Sequence, residues 1–135
     1  MATEATNKYY YALGRRKTAV ATVRLYPGKG ESTVNEKALN VYFPTSAEQV
    51  KLLRVFEAAE LPVKDYYFTA RVAGSGVNGQ LEAIRHGLAR AMTKMNPDLK
   101  TKVKKVGYIT RDPRMVERKK PGLRKARRAE QYSKR

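Results

Sequence analysis

The 135-residue chain has no cysteine, a single histidine, and only 12 Asp and Glu against 29 Lys and Arg. Without cysteine there is no disulfide-stapled scaffold, no thiol nucleophile and no Cys-based zinc or iron–sulfur site. One histidine leaves no pair for a His-based metal site, and neither H-E-x-x-H nor G-x-S-x-G occurs. No apolar run approaches the roughly 20 residues needed to cross a bilayer. Met1-Ala2-Thr3-Glu4 also lacks the basic start and apolar core of a secretory signal. These absences predict a cytoplasmic protein with no membrane partner, no enzymatic chemistry, no cofactor or metal, and no small-molecule substrate.

What is present in excess is positive charge. The formal net charge is +17, which biases the choice of partner toward polyanions. Residues 1–100 hold 15 Lys and Arg against 9 Asp and Glu, whereas residues 101–135 hold 14 against 3. From Glu117 onward the only apolar residues are Leu123, Ala126, Ala129 and Tyr132. Such a segment buries too little surface to offset its ordering entropy. The division predicts a globular body over residues 1–107 and an extended basic tail over 108–135 that orders on its partner.

The body alternates strand and helix signals. Tyr9 to Leu13 is β-rich, and in Ala19 to Tyr26 the residues Ala19, Ala21, Val23 and Leu25 share one face. Pro27-Gly28-Lys29-Gly30 reads as a turn, and Thr33 to Val41 as a short strand or hairpin arm. A helix follows, opened by a capping box (Thr45 with Glu48, or Ser46 with Gln49), striped by Val50, Leu53 and Phe56, and ended by Leu61-Pro62. Glu57 and Glu60 lie on its solvated flank. Asp65 to Ala73 returns to period two, with Tyr66, Phe68, Ala70 and Val72 on one side. Leu81, Ile84, Leu88, Ala91 and Met95 then give the spacing of a core-facing helix. Asn96-Pro97 opens one more, with Leu99, Val103 and Val106 inward and Gly107 as its stop. Strands interleaved with helices predict an α/β two-layer sandwich.

Gly74-Ser75-Gly76-Val77-Asn78-Gly79 matches G-x-G-x-x-G between a strand and a helix. The dinucleotide fingerprint needs an acid at the end of the next strand, but Asp98 opens a helix, and too few strands follow for a doubly wound sheet. Gln80-Leu81 also replace the Lys and hydroxyl of a P-loop. The segment reads as a tight turn with positive φ, whose exposed N–H groups are able to hold a backbone phosphate. His86, next to Arg85 on the polar side of the following helix, reads as solvated or RNA-facing.

Cationic clusters carry the positive evidence. Arg15-Arg16-Lys17 interrupts the first β region. Arg111, Arg114, Arg118, Lys119 and Lys120 lead through Pro121-Gly122 to Arg124, Lys125, Arg127 and Arg128, and the chain ends in Ser133-Lys134-Arg135. Arginine presents planar, bidentate donors to phosphate and stacks on bases, and Tyr132 adds a stacking surface. The charge pattern points to a nucleic-acid partner, with a free-standing RNA-binding regulator or chaperone and a nucleotide-dependent enzyme built on Gly74–Gly79 as the alternatives to a structural role.

Three segments carry a specific resemblance: Tyr9 to Thr18 (YYYALGRRKT), Gly79-Gln80 through Ala83 to Ala91 (AIRHGLARA), and Thr110 to Arg128 (TRDPRMVERKKPGLRKARR). Together they resemble the family of universal small-subunit ribosomal protein nine, in its bacterial or organellar form. The resemblance implies a mixed-sheet α/β sandwich with a left-handed βαβ crossover and a long basic C-terminal extension. It implies a place in the head of the small subunit, bound to 16S-type rRNA beside neighbouring head proteins. Its rRNA contacts would come from Arg15, Arg16, Lys17, Arg85, Arg111, Arg114, Arg118, Lys119, Lys120, Arg124, Lys125, Arg127 and Arg128. Ser133, Lys134 and Arg135 would approach the anticodon stem-loop of P-site tRNA.

Overall fold

Alternation builds the centre of the fold. The computed structural model describes residues 9–115, 117–129 and 131. Strands β1 (Tyr10–Arg16) and β2 (Ala19–Pro27) form an antiparallel hairpin closed by Lys17-Thr18. On β2, Ala19, Ala21, Val23 and Leu25 are all fully buried, while Val20 and Arg24 face outward. Beta-branched and aliphatic residues at every second position suit a sheet with one wet face.

The remaining strands are β3 (Thr33–Val34), β4 (Lys37–Ala38) and β5 (Tyr66–Ala73), in the spatial order β1-β2-β5-β3-β4. Strand β5 runs antiparallel to β2 and parallel to β3, so the sheet is mixed. The crossover from β3 to β5 contains β4 and the helices α1 (Leu39–Tyr42) and α2 (Ser46–Ala58). Helix α3 (Val77–Met95) lies across the inner face of β1 and β2, and α4 (Leu99–Val106) packs beside it. The core joins Phe68, Val72 and Leu25 from the sheet to Leu52, Val55, Phe56, Leu81, Ile84 and Leu88 from the helices. Each such side chain contributes about 1.5–3 kcal/mol by leaving water.

Several local expectations meet a different outcome. Residues 33–38 do form the expected short hairpin, a two-residue β-ladder turned at Asn35-Glu36 (φ 52° and 69°), but residues 39–42 then make a short helix. Asn35 sits there because its amide continues the ladder on β5: Val72 N–H donates to Oδ1 at 2.9 Å, and Nδ2 donates to the Val72 carbonyl at 3.0 Å. No capping box forms at α2, since neither Thr45 nor Ser46 makes a side-chain cap bond, and Gln49 donates to the Phe43 carbonyl at 2.8 Å. Its buried stripe is Leu52, Val55 and Phe56, while Val50 is exposed. The helix ends before Leu61-Pro62, in a left-handed Glu60 with Leu61 N–H returning to the Phe56 carbonyl. On α4, Leu99 and Val103 are buried but Val106 is exposed, and Gly107 (φ 90°) stops the helix as expected.

The approach of α3 to the hairpin is unusually close. An added Cβ on Gly14 would lie 1.8 Å from the Ala83 carbonyl oxygen and 2.4 Å from the Gly87 nitrogen. Small residues on both elements, Ala12 and Gly14 against Ala83 and Gly87, let backbone meet backbone.

Candidate nucleic-acid interface

Strand β1 is a sheet edge, and its outer row of backbone groups needs partners. Helix α3 supplies them. His86 Nδ1 accepts the Arg15 N–H at 3.2 Å, Arg90 donates to the Leu13 carbonyl at 2.8 Å, and Lys94 donates to the Tyr11 carbonyl at 2.6 Å. Four helical residues rise about 6.0 Å and two strand residues about 6.6 Å, so the two repeats stay in step. The helix thus acts as a side-chain strand that closes the edge and fixes the hairpin.

Alternation along β1 then separates the three adjacent cations. Arg15 and Lys17 are exposed. Arg16 turns to the inner side, where it meets Glu82, donates to the Arg114 carbonyl at 2.7 Å and lies 3.5 Å from Asp112. Its side chain is only 11% exposed. The Arg16 guanidinium is therefore a hub that ties the hairpin to α3 and to the root of the basic tail. Asp112 is held in turn by Arg114, whose guanidinium and backbone N–H both donate to it. The Arg114 bonds keep the Asp112 carboxyl well below the usual carboxylate range.

Around this hub lies a depression of about 150 Å³ lined by Arg15, Arg85, His86, Tyr108 and Arg114 among others. The Arg85 guanidinium sits 4.6 Å from the centroid of the Tyr108 ring, which orients it by a cation–π contact. Arg111 is exposed beside this group. The structure thus brings together Arg15, Arg85, Arg111 and Arg114 from three parts of the chain.

Within the basic tail, residues 117–129 fold back into a loop. Leu123 N–H returns to the Lys120 carbonyl at 3.2 Å across Pro121-Gly122, with Gly122 at φ 85°. Pro then Gly at the two central positions is the pattern of a type II turn. An antiparallel bridge joins Leu123 to Ala129, and Arg124 N–H donates to the Arg128 carbonyl at 2.8 Å. Glu117 accepts from Lys120 and from Arg127, and these two cations hold its carboxyl below the ordinary range. Arg118, Lys119, Arg124, Lys125 and Arg128 are exposed around this loop. Tyr132, Ser133, Lys134 and Arg135 lie outside the described residues.

His86 is neither solvated nor aimed at a partner. Its Nδ1 accepts from Arg15 and its Nε2 lies 2.8 Å from the Ile109 carbonyl, so the geometry assigns the neutral Nε2–H tautomer. Burial pushes the imidazole below its ordinary value; Arg90 and Arg111 act in the same sense, and the bond to Ile109 opposes them. The folded ring stays neutral where the unfolded one takes a proton. This contributes stability above about pH 6.5 that is lost as pH falls toward the lower native value. Between pH 7.5 and 5 the urea midpoint of the wild-type chain is expected to fall more than that of His86→Gln. Parallel declines in the two proteins would contradict this role.

The Gly74–Gly79 segment is the tight turn expected of it, with φ of 87° at Gly74 and 56° at Ser75. A Cβ on Gly74 would approach the Thr18 carbonyl to 2.5 Å, so glycine is required by both conformation and space. Among the described residues, no helix is long and apolar enough to cross a membrane.

Comparison with known proteins agrees with this geometry. The family described as ribosomal protein S9/S16 matches residues 14–135. The small ribosomal subunit protein uS9 of Lawsonia intracellularis is 48% identical over 130 residues, covering 96% of this chain and 99% of the relative. Matches of that extent, with β2, α3 and the basic tail root inside the family's matched span, show that the chain belongs to the ribosomal protein S9/S16 family, as a bacterial-type small-subunit protein.

Proposed function

We propose that this chain anchors in small-subunit rRNA through its hairpin and tail root, and that its C-terminus contacts P-site tRNA. The observation that carries the reading is the Arg16 hub. By joining the hairpin, α3 and the 107–114 segment, it sets Arg15, Arg85 and Arg114 around one depression, with Arg111 close to His86 and Lys17 at the hairpin turn. Arg16 itself acts as a positioning residue, because its donors are engaged within the protein. Arg118, Lys119, Lys120, Arg124, Lys125, Arg127 and Arg128 extend the cationic surface along the tail.

The mechanism is electrostatic and geometric. Cations offset phosphate repulsion and release condensed counterions, and the rRNA fixes the path of residues 108–135. A place in the head of the subunit beside other head proteins, cytoplasmic residence and the left-handed sense of the β3–β5 crossover come with the family resemblance. So does the contact of Ser133, Lys134 and Arg135 with the anticodon stem-loop.

Deleting residues 133–135 is expected to leave incorporation into small subunits near normal. It should raise the P-site tRNA dissociation rate on the order of tenfold, the worth of one charged hydrogen bond. Unchanged tRNA off-rates in ribosomes carrying the truncated chain would refute the contact.

A further inference from the structure

Among the described residues none covers the face of the sheet turned away from α2 and α3, and its composition is unusual for a solvated face. Strand pairing places Tyr11 beside Arg24 and Thr69 beside Thr33 in one row, with Leu13, Thr22 and Arg71 in the next. Tyr9 and Tyr11 are each more than 40% exposed. Along one margin Tyr26 stacks on Tyr67 at 4.9 Å and 7°, and Tyr9 leans on Tyr26 at 5.5 Å with the Arg24 guanidinium over its ring. The Gly30 backbone closes the far side of Tyr67, since a Cβ there would lie 2.7 Å from the ring. These rings form a fixed wall. Beside them is an open depression of about 410 Å³ lined by Thr22, Arg24, Thr33, Thr69 and Arg71.

We propose that this outer sheet face is a second RNA-binding surface, one that takes unpaired nucleotides, with Tyr11 stacking on a base and Arg24 and Arg71 meeting successive phosphates. The inference rests on reading the chain as an RNA-binding protein and extends that reading from the hairpin turn and tail root to the outer face of the sheet, on β1, β2 and β5. Its first support is charge. Arg24 and Arg71 share the face with one carboxylate, Glu36, whose 3.3 Å pair with Arg71 is formed by two side chains about 80% exposed and is readily exchanged for phosphate. Its second is the combination of groups. Exposed aromatic rings supply sequence-tolerant stacking, guanidinium groups neutralise the backbone, and the Thr33 and Thr69 hydroxyls offer donors and acceptors to base edges and 2′-OH groups. The third is rigidity: the platform residues stand on paired strands whose buried side is packed, so little ordering accompanies binding.

The test uses the full chain and small-subunit rRNA. The triple variant Tyr11→Ser, Arg24→Gln, Arg71→Gln alters only solvent-facing positions. Its rRNA affinity is expected to fall at least tenfold, with the log–log salt slope shallower by about 1.4. In irradiated small subunits carrying the unsubstituted chain, the peptide containing Tyr9 and Tyr11 should cross-link to nucleotides. Unchanged affinity of the triple variant, when substitution of the exposed tail cations does weaken binding, would overturn this surface and leave the proposed function intact. Cross-links from Tyr11 to another protein would overturn it as well. If neither set of substitutions weakened binding, both readings would fall.

Discussion

Gly14→Ala is expected to destabilise the protein by about 3 kcal/mol or more. The added methyl would stand 1.8 Å from the Ala83 carbonyl oxygen and 2.4 Å from the Gly87 nitrogen. Both are backbone atoms of α3, so no side-chain rotation relieves the overlap. Either β1 lifts from the helix or α3 shifts on the sheet, and each movement breaks the edge ladder through His86, Arg90 and Lys94. Arg16 follows Gly14 by two residues, so its hub is disturbed together with the core. Urea denaturation reads the effect, and a variant with a wild-type midpoint would show that the helix and strand are not in backbone contact.

The second large effect concerns binding. Arg118, Lys119, Arg124, Lys125 and Arg128 are exposed, and replacing all five by Gln touches no buried group. Lys120 and Arg127 are left in place because they hold Glu117 and the loop around it. Each phosphate neutralised on single-stranded RNA releases about 0.7 counterion, worth roughly 0.8 kcal/mol at physiological salt. Five lost contacts therefore lower rRNA affinity on the order of 10²- to 10³-fold while the body keeps its stability. A body-only binding mode would leave affinity nearly unchanged.

Features set by local chemistry were legible in the sequence. The buried row of β2 follows from alternation, and the long apolar face of α3 from its helical spacing. The turn at Pro121-Gly122 follows from the backbone preferences of those two residues. At Asn96-Pro97 the side-chain oxygen accepts the Asp98 N–H at 3.1 Å, but α4 opens later than those two residues suggest, at Leu99 with Asp98 as its N-cap and no side-chain cap bond. What escaped depended on which elements meet. On α2, Leu52 and Leu53 are neighbours, so the choice between two interlocking stripes waits on the direction from which α3 approaches.

His86 needed two facts absent from its own surroundings, that β1 is an edge strand and that α3 runs along it. Arg16 is a different kind of miss. Gly14 and Ala12 face the core, and continuing that alternation puts Arg16 inward between outward Arg15 and Lys17. The signal was present in the sequence, but a run of three cations reads first as one patch. Asp112 and Glu82, which anchor that arginine, carried no sequence mark of their own.

Electrostatic anchoring of the small-subunit rRNA is the central claim, and the salt dependence of binding tests it most directly. The measurement is the affinity of the full chain for small-subunit rRNA between about 50 and 500 mM salt, beside that of the five-Gln variant. If about eight phosphates are neutralised, log affinity should fall against log salt with a slope on the order of −6, and the variant should lose about 3.5 from that slope. A slope near zero, or the same slope for both proteins, would contradict it.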